Sequence, residues 1–258
     1  MQNGLFWIDK KTSELIALSK EIWDYAEVGL REEKSAAALA AYLKREGFSV
    51  KTGIGTMPTA FLASFGEGKP ILGFLGEYDS LAGLSQKTLP TREEVVPGGP
   101  GHGCGHNLLG VGSLAAAIAL KKEVEAGRAK GTFRFYGCPA EETLIGKVFM
   151  AKAGAFNDLD AAITWHPWVT NGVWGSQHLA MNSVRFAFHG RTAHAASAPH
   201  MGISALDAVE LMNVGVNFLR EHVIQEARIH YVITNGGGQP NVVQAQAEVW
   251  YYVRAPHR

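Results

Sequence analysis

Most of the side chains in this 258-residue chain that could do chemistry fall in four short segments. The densest is Gly101-His102-Gly103-Cys104-Gly105-His106-Asn107. Thiolate and imidazole are preferred ligands of zinc and similar cations. Glycines on both sides of Cys104 let the backbone fold tightly enough to aim Cys104 and His106 at one ion. A helix follows at once, and its positive N-terminus favours an ionised thiol. A glycine-rich loop with a reduced cysteine and hydrogen-bonded histidines is the plain alternative; two His and one Cys within five residues count against it. A cysteine hydrolase with Cys104 as nucleophile beside His106 is a further alternative.

The second segment, Pro139-Ala140-Glu141-Glu142, follows the strand-like run TFRFYGC. Adjacent carboxylates repel and are costly at a buried strand end unless a cation is present. One can then ligate a metal while the other takes a proton from an attacking water. A solvated helix N-terminus would also accept two glutamates. Cys138 precedes the pair but lies in the strand, and reads as core. The third segment, Gly76-Glu77-Tyr78-Asp79, closes an apolar run and offers two carboxylates at its end. The fourth is Thr164-Trp165-His166-Pro167, where His166 gains meaning only from the other three. A separate cluster, Gly190-Arg191-Thr192-Ala193-His194, lies further along the chain.

The elements that must carry these segments alternate. Helical periodicity is expected over 13–26, with Leu15, Leu18 and Ile22 on one face, and over 31–46. Short strands are expected at 48–51 and 59–64. Ile71–Glu77 is a nearly continuous apolar run, as expected for a strand buried on both faces. A long Pro/Gly-rich loop from Leu81 to Gly105 follows, and loops of that length in a compact domain usually carry function. Then come a helix at 108–125, a strand at 132–138, a helix at 142–153 and a strand at 161–166. This alternation predicts an α/β domain with a mostly parallel sheet. The four reactive segments sit at strand ends, where open α/β sheets bind ligands. From about residue 183 the order becomes β-α-β-β, with an amphipathic helix over 203–221. That predicts a second, α+β sandwich domain. The expected division is 1–182 and 183–258.

Composition narrows the function classes. Lys+Arg and Asp+Glu both number 24, so the net charge is zero. The chain therefore has no basic field for nucleic acid and no polybasic patch for an anionic membrane. Two cysteines do not make a disulfide framework. The N-terminus lacks the pattern of a secretion signal, and no apolar stretch approaches the ~20 residues needed to span a bilayer. A soluble, cytoplasmic protein is expected.

The segments GEYDSL, GHGCGHNLLG, CPAEE, TWHP, GRTAHAASAPHMGISALDA and PNVVQAQAEVWYYVRAP stand in the order and spacing of a known family. The chain resembles the two-metal aminoacylase/carboxypeptidase-like amidohydrolases along essentially its whole length. The resemblance implies hydrolysis of the amide bond of an N-acyl amino acid, with two divalent cations, Mn or Zn. Within the family the likeness favours p-aminobenzoyl-glutamate, cleaved to p-aminobenzoate and glutamate. By motif match, Cys104, His106, Glu142 and His166 correspond to metal ligands and Glu141 to the general base. Asp79 corresponds to the aspartate that orients a ligand from behind. His194 corresponds to the histidine that contacts the substrate carbonyl, often across a dimer interface. Asn241 and Arg254 match positions that hold the substrate carboxylate. Many relatives have a metal-binding His at the position of Glu77; the subgroup with Cys-x-His ligation lacks it, so Glu77 is not assigned to metal. The family's second domain, a lid or dimerisation domain, is inserted in the catalytic domain. A C-terminal segment then returns with one more metal-binding His. This sequence stops at Arg258, which implies that both domains are incomplete, by fragmentation or natural truncation. A homo- or hetero-oligomer through the second domain is expected. The competing expectation is an inactive fragment or subunit that serves as a binding or assembly module.

Overall fold

Ile71–Glu77 forms strand β3 over the predicted span, buried along most of its length between strands β4 (Gly131–Cys138) and β5 (Ala161–Ile163). The computed structural model describes residues 2–175 and 178–257. These form two units, one up to Asn171 and one from Gly172.

In the first unit β1 (Ser49–Thr52) and β2 (Phe61–Glu67) complete a five-stranded sheet of order β1-β2-β4-β3-β5. β4 pairs with β3, and β3 with β5, in parallel; β2 pairs antiparallel with both β1 and β4. Only β2 therefore runs against the other four, and the sheet is mostly parallel as the alternation predicts. Helices α1 (Gln2–Tyr25), α2 (Glu33–Arg45) and α3 (His106–Glu125) pack with it through a core that includes Ile22, Leu39, Leu43, Leu114, Ile118 and Phe135. A smaller core around Tyr136, Cys138 and Met150 holds α4 (Gly146–Lys152).

Helix α1 starts at Gln2, well before the residue that periodicity suggests. Packing explains this, since the Gly4 amide reaches the Glu123 carboxylate of α3 at 2.7 Å within a buried contact. Conversely, α4 starts later than expected, because residues 141–144 form a turn. β5 is three residues long, and the chain leaves the sheet before reaching His166.

The second unit is a three-stranded antiparallel sheet, β6 (Ala180–His189), β7 (Arg228–Asn235) and β8 (Gln246–Ala255), in the order β6-β8-β7. Helix α5 (Ala205–Leu219) begins where the Ser204 hydroxyl accepts the Asp207 amide proton. It buries Ala205 and Val209 against Ala247, Val249 and Tyr251. This is the expected α+β arrangement. Among the described residues, no helix is long and apolar enough to cross a membrane.

Candidate metal centre

Three chain segments meet at the carboxyl ends of β3 and β4. β3 delivers Glu77 and Asp79, the loop after β4 delivers Glu141 and Glu142, and α3 opens with His106. Gly105 caps α3 with φ 77°, a left-handed conformation that glycine adopts freely, and so turns the chain between Cys104 and His106.

His106 is fully buried. Its Nδ1 lies 2.9 Å from Asp79 Oδ1 and 3.1 Å from the Asp79 carbonyl oxygen. Both oxygens accept, so Nδ1 carries a proton, and in the neutral ring Nε2 presents its lone pair. Nε2 has no hydrogen-bond partner; Glu77 Oε2, 3.1 Å away, and Glu142 Oε1 are likewise buried and unbonded. Glu141 Oε2 is 3.7 Å from His106 Nε2, and Glu142 Oε1 is 3.9 Å from Nδ1. Cys104 Sγ lies 3.3 Å from His166 Nε2, while His166 Nδ1 is 2.8 Å from the Pro167 carbonyl oxygen. The imidazole paired with the thiol is thus His166 rather than His106.

These donors fall into two groups whose ligand atoms lie within 4.8 Å of one another. One is Cys104, His106 and His166, and the other is Glu77, His106 and Glu141. A lone pair on a buried imidazole and single buried, unbonded oxygens on Glu77 and Glu142 are costly unless a cation meets them. The donor set of one thiol, two imidazoles and several carboxylates suits Zn or Mn. The residues present therefore fit a metal centre.

The electrostatics agree. Burial, with the charges of Glu142 and Glu141 beside it, pushes the Cys104 thiol up to about 12. The N-terminus of α3 does not by itself keep this thiol ionised, because burial and the neighbouring carboxylates oppose the charge; a bound cation would reverse the balance. Burial also raises Glu141, with Glu77 adding to it, and raises Glu142. On His106, burial opposes protonation, but Asp79, Glu77 and Glu142 together raise it. Lys147, on α4, pairs with Glu77 Oε1. Burial opposes its charge, but Glu77, with Cys138 and Glu141 adding to it, raises it. Sequence reasoning missed both Glu77 as a group facing His106 and Lys147 as its partner. The signal for Glu77 was present, since it shares the strand end with Asp79. Lys147 had none.

Asp79 is almost fully buried, and its Oδ2 accepts the Glu142 amide proton at 2.9 Å. It thus holds both a candidate ligand and the backbone of another. Beside Cys104 and His166 opens a cavity of about 650 Å³, lined among others by Ile16, Lys20, Trp23, Leu108 and Trp168.

In the second unit, His194 is exposed, and its Nδ1 accepts the amide protons of Ala196 and Ser197, each at 3.2 Å. Nε2 then carries the proton. His194 bridges Val242, and the Asn241 carbonyl accepts the Ala195 amide, so His194 and Asn241 are neighbours. Arg254 is paired with Met181 and Arg228, near the other end of β8. Eight residue steps along the strand, about 26 Å, separate it from Gln246.

Residues 73–254 match peptidase family M20/M25/M40. The chain is 54% identical over 243 residues to one of the subunits of p-aminobenzoyl-glutamate hydrolase of Escherichia coli, covering 93% of this chain and 50% of that protein. It thus spans about half the length of this curated relative. A crystal structure of an aminobenzoyl-glutamate utilization protein from Klebsiella pneumoniae superposes with a TM-score of 0.70 at 19% identity, over 97% of this chain and 68% of that one. The Bacillus subtilis YXEP protein, a dinuclear metal-binding peptidase, gives 0.60 at 21% identity, over 94% and 64%. At these identities the two structures speak for the fold.

Proposed function

This chain belongs to peptidase family M20/M25/M40, and we propose that it hydrolyses the amide bond of an N-acyl amino acid, p-aminobenzoyl-glutamate foremost, with two divalent cations, Mn or Zn. The observation that carries this reading is that Cys104, His106 and His166, and likewise Glu77, His106 and Glu141, bring their ligand atoms within 4.8 Å of one another around an imidazole fixed by Asp79. Cys104, His106, Glu142 and His166 would hold the ions, and Glu77 faces the same space. When bound, such cations polarise a carbonyl and lower the pKa of water.

This chain's residues supply the rest. Glu141 takes a proton from the attacking water at its carboxylate and returns it to the leaving amine. Burial raises its basicity, which suits that task. The apolar cavity beside Cys104 and His166 accepts the aromatic acyl group. His194, with Nε2–H outward, donates to the oxyanion. Arg254 and Asn241 receive the substrate's carboxylate. His194 and Arg254 lie toward opposite ends of β8, so a site that uses both would draw them from two copies or from a second subunit. The unit up to Asn171 would be the ion-binding part and the unit from Gly172 the lid or dimerisation part. Two free thiols suit the reducing cytoplasm.

The test is release of p-aminobenzoate by the chain supplied with Mn or Zn, followed chromatographically. Glu141→Gln lowers turnover by about 10²–10⁴-fold and leaves calorimetric ion binding intact. A variant that hydrolyses normally refutes the base assignment. A wild-type chain that binds ions and releases no product refutes the hydrolase reading.

A further inference from the structure

Glu32 is fully buried, just before α2, and has no place in the chemistry described so far. A buried carboxylate is costly unless its oxygens are well bonded. Here Oε1 accepts the Ala140 amide proton at 2.7 Å, from a residue 108 positions away. Oε2 accepts from the Thr59 hydroxyl at 3.3 Å.

Ala140 is the residue before Glu141. It is fully buried and holds φ at 54°, in the left-handed region that a side chain disfavours. Something must hold it there. The segment carrying Glu32 is itself anchored. The Glu27 carbonyl accepts the Ser80 amide, and the Glu27 carboxylate accepts the amides of Lys34 and Ser35. Gly29 lies against Ala140 so closely that an added Cβ would stand 3.2 Å from its Cα. On the other side of Glu141, the Glu142 amide is held by Asp79 Oδ2 at 2.9 Å. Glu141 therefore stands between two amides, each bonded to a buried carboxylate.

We infer that Glu32 is a positioning residue for Glu141, fixing the backbone before the base as Asp79 fixes it after. The inference rests on the reading of Glu141 as the base. It requires reach rather than charge, because an uncharged acceptor of the same length can still meet the Ala140 amide. Glu32→Gln keeps that oxygen, and Glu32→Asp keeps the charge but withdraws it by one methylene.

The experiment measures kcat and KM for p-aminobenzoyl-glutamate, Mn affinity by calorimetry and thermal melting on wild type, E32Q, E32D and E141Q. Expected are a fall in kcat of about 100-fold for E32D, with KM and Mn affinity within about threefold of wild type, and near-normal kcat for E32Q. Wild-type kcat in E32D, or a greater loss in E32Q than in E32D, overturns the proposal. So does a loss of Mn binding or of the melting transition in E32D, which would make Glu32 a framework residue only. Turnover by E141Q overturns the base reading, and the proposal with it. Inactive E141Q beside fully active E32D overturns the proposal alone.

Discussion

Replacing Asp79 with asparagine tests the geometry of the metal centre at its most constrained point. Asp79 is 1% exposed and accepts two hydrogen bonds of 2.9 Å, from His106 Nδ1–H and from the Glu142 amide. Asparagine has one acceptor oxygen. Either orientation of its amide keeps one partner and turns an NH₂ toward the other donor. Losing one charge-assisted hydrogen bond costs about 1.5 kcal/mol; orphaning the Glu142 N–H would add as much, whereas His106 Nδ1–H keeps the residue-79 carbonyl oxygen at 3.1 Å, so the total is about 1.5–3 kcal/mol. For a unit of this size, that lowers the melting temperature by about 3–12 °C. A contrary effect is relief of repulsion, since Asp79 contributes to raising both Glu141 and Glu142. Bound cations neutralise those carboxylates, so the ion-loaded protein shows the full loss. His106 also loses its orientation, and ion affinity falls about 10–100-fold. The assay is melting in saturating Mn together with Mn calorimetry. An ion-loaded melting temperature within about 2 °C of wild type, with affinity within about threefold, refutes the assignment of Asp79 to holding His106 and Glu142.

Two further expectations come from His102 and Gly105. Burial lowers His102 from 6.5 to about 4, so the fold holds its neutral ring. That stability is complete above pH 6.5 and is lost as pH falls toward 4, amounting to about 2 kcal/mol by pH 5. In denaturation series between pH 7 and 5, His102→Gln therefore shows a shallower decline than wild type; identical slopes would exclude the effect. Gly105→Ala meets both an unfavourable φ of 77° and the Pro167 Cγ at 3.0 Å. It lowers stability by about 1–2 kcal/mol and weakens Zn binding, because Cys104 and His106 shift apart. Unchanged melting and Zn titration in this variant would show that the turn tolerates a side chain.

The legible part of the site was the part encoded locally. Cys104 and His106 share one glycine-bounded turn just before a helix, and Glu141 and Glu142 are adjacent just past the end of a strand-like run. Asp79 ends the same run as Glu77, and Cys138, read as core, is fully buried. Local periodicity was less reliable where packing extended or shortened an element. Helix α1 gained its first turns from contact with α3, and α4 lost its first turn to the bend that carries Glu141.

The donor types, their order and the strand ends that display them are written in the chain itself, because side-chain chemistry and a two- or 3.6-residue period are properties of neighbouring residues. Folding had to supply the rest: Asp79 fixes the His106 tautomer, Lys147 holds one oxygen of Glu77, and Glu32 reaches Ala140. These contacts join residues tens of positions apart through hydrogen bonds that depend on distance and direction. No local pattern records such a bond, since it exists only once the sheet and helices have brought the partners together.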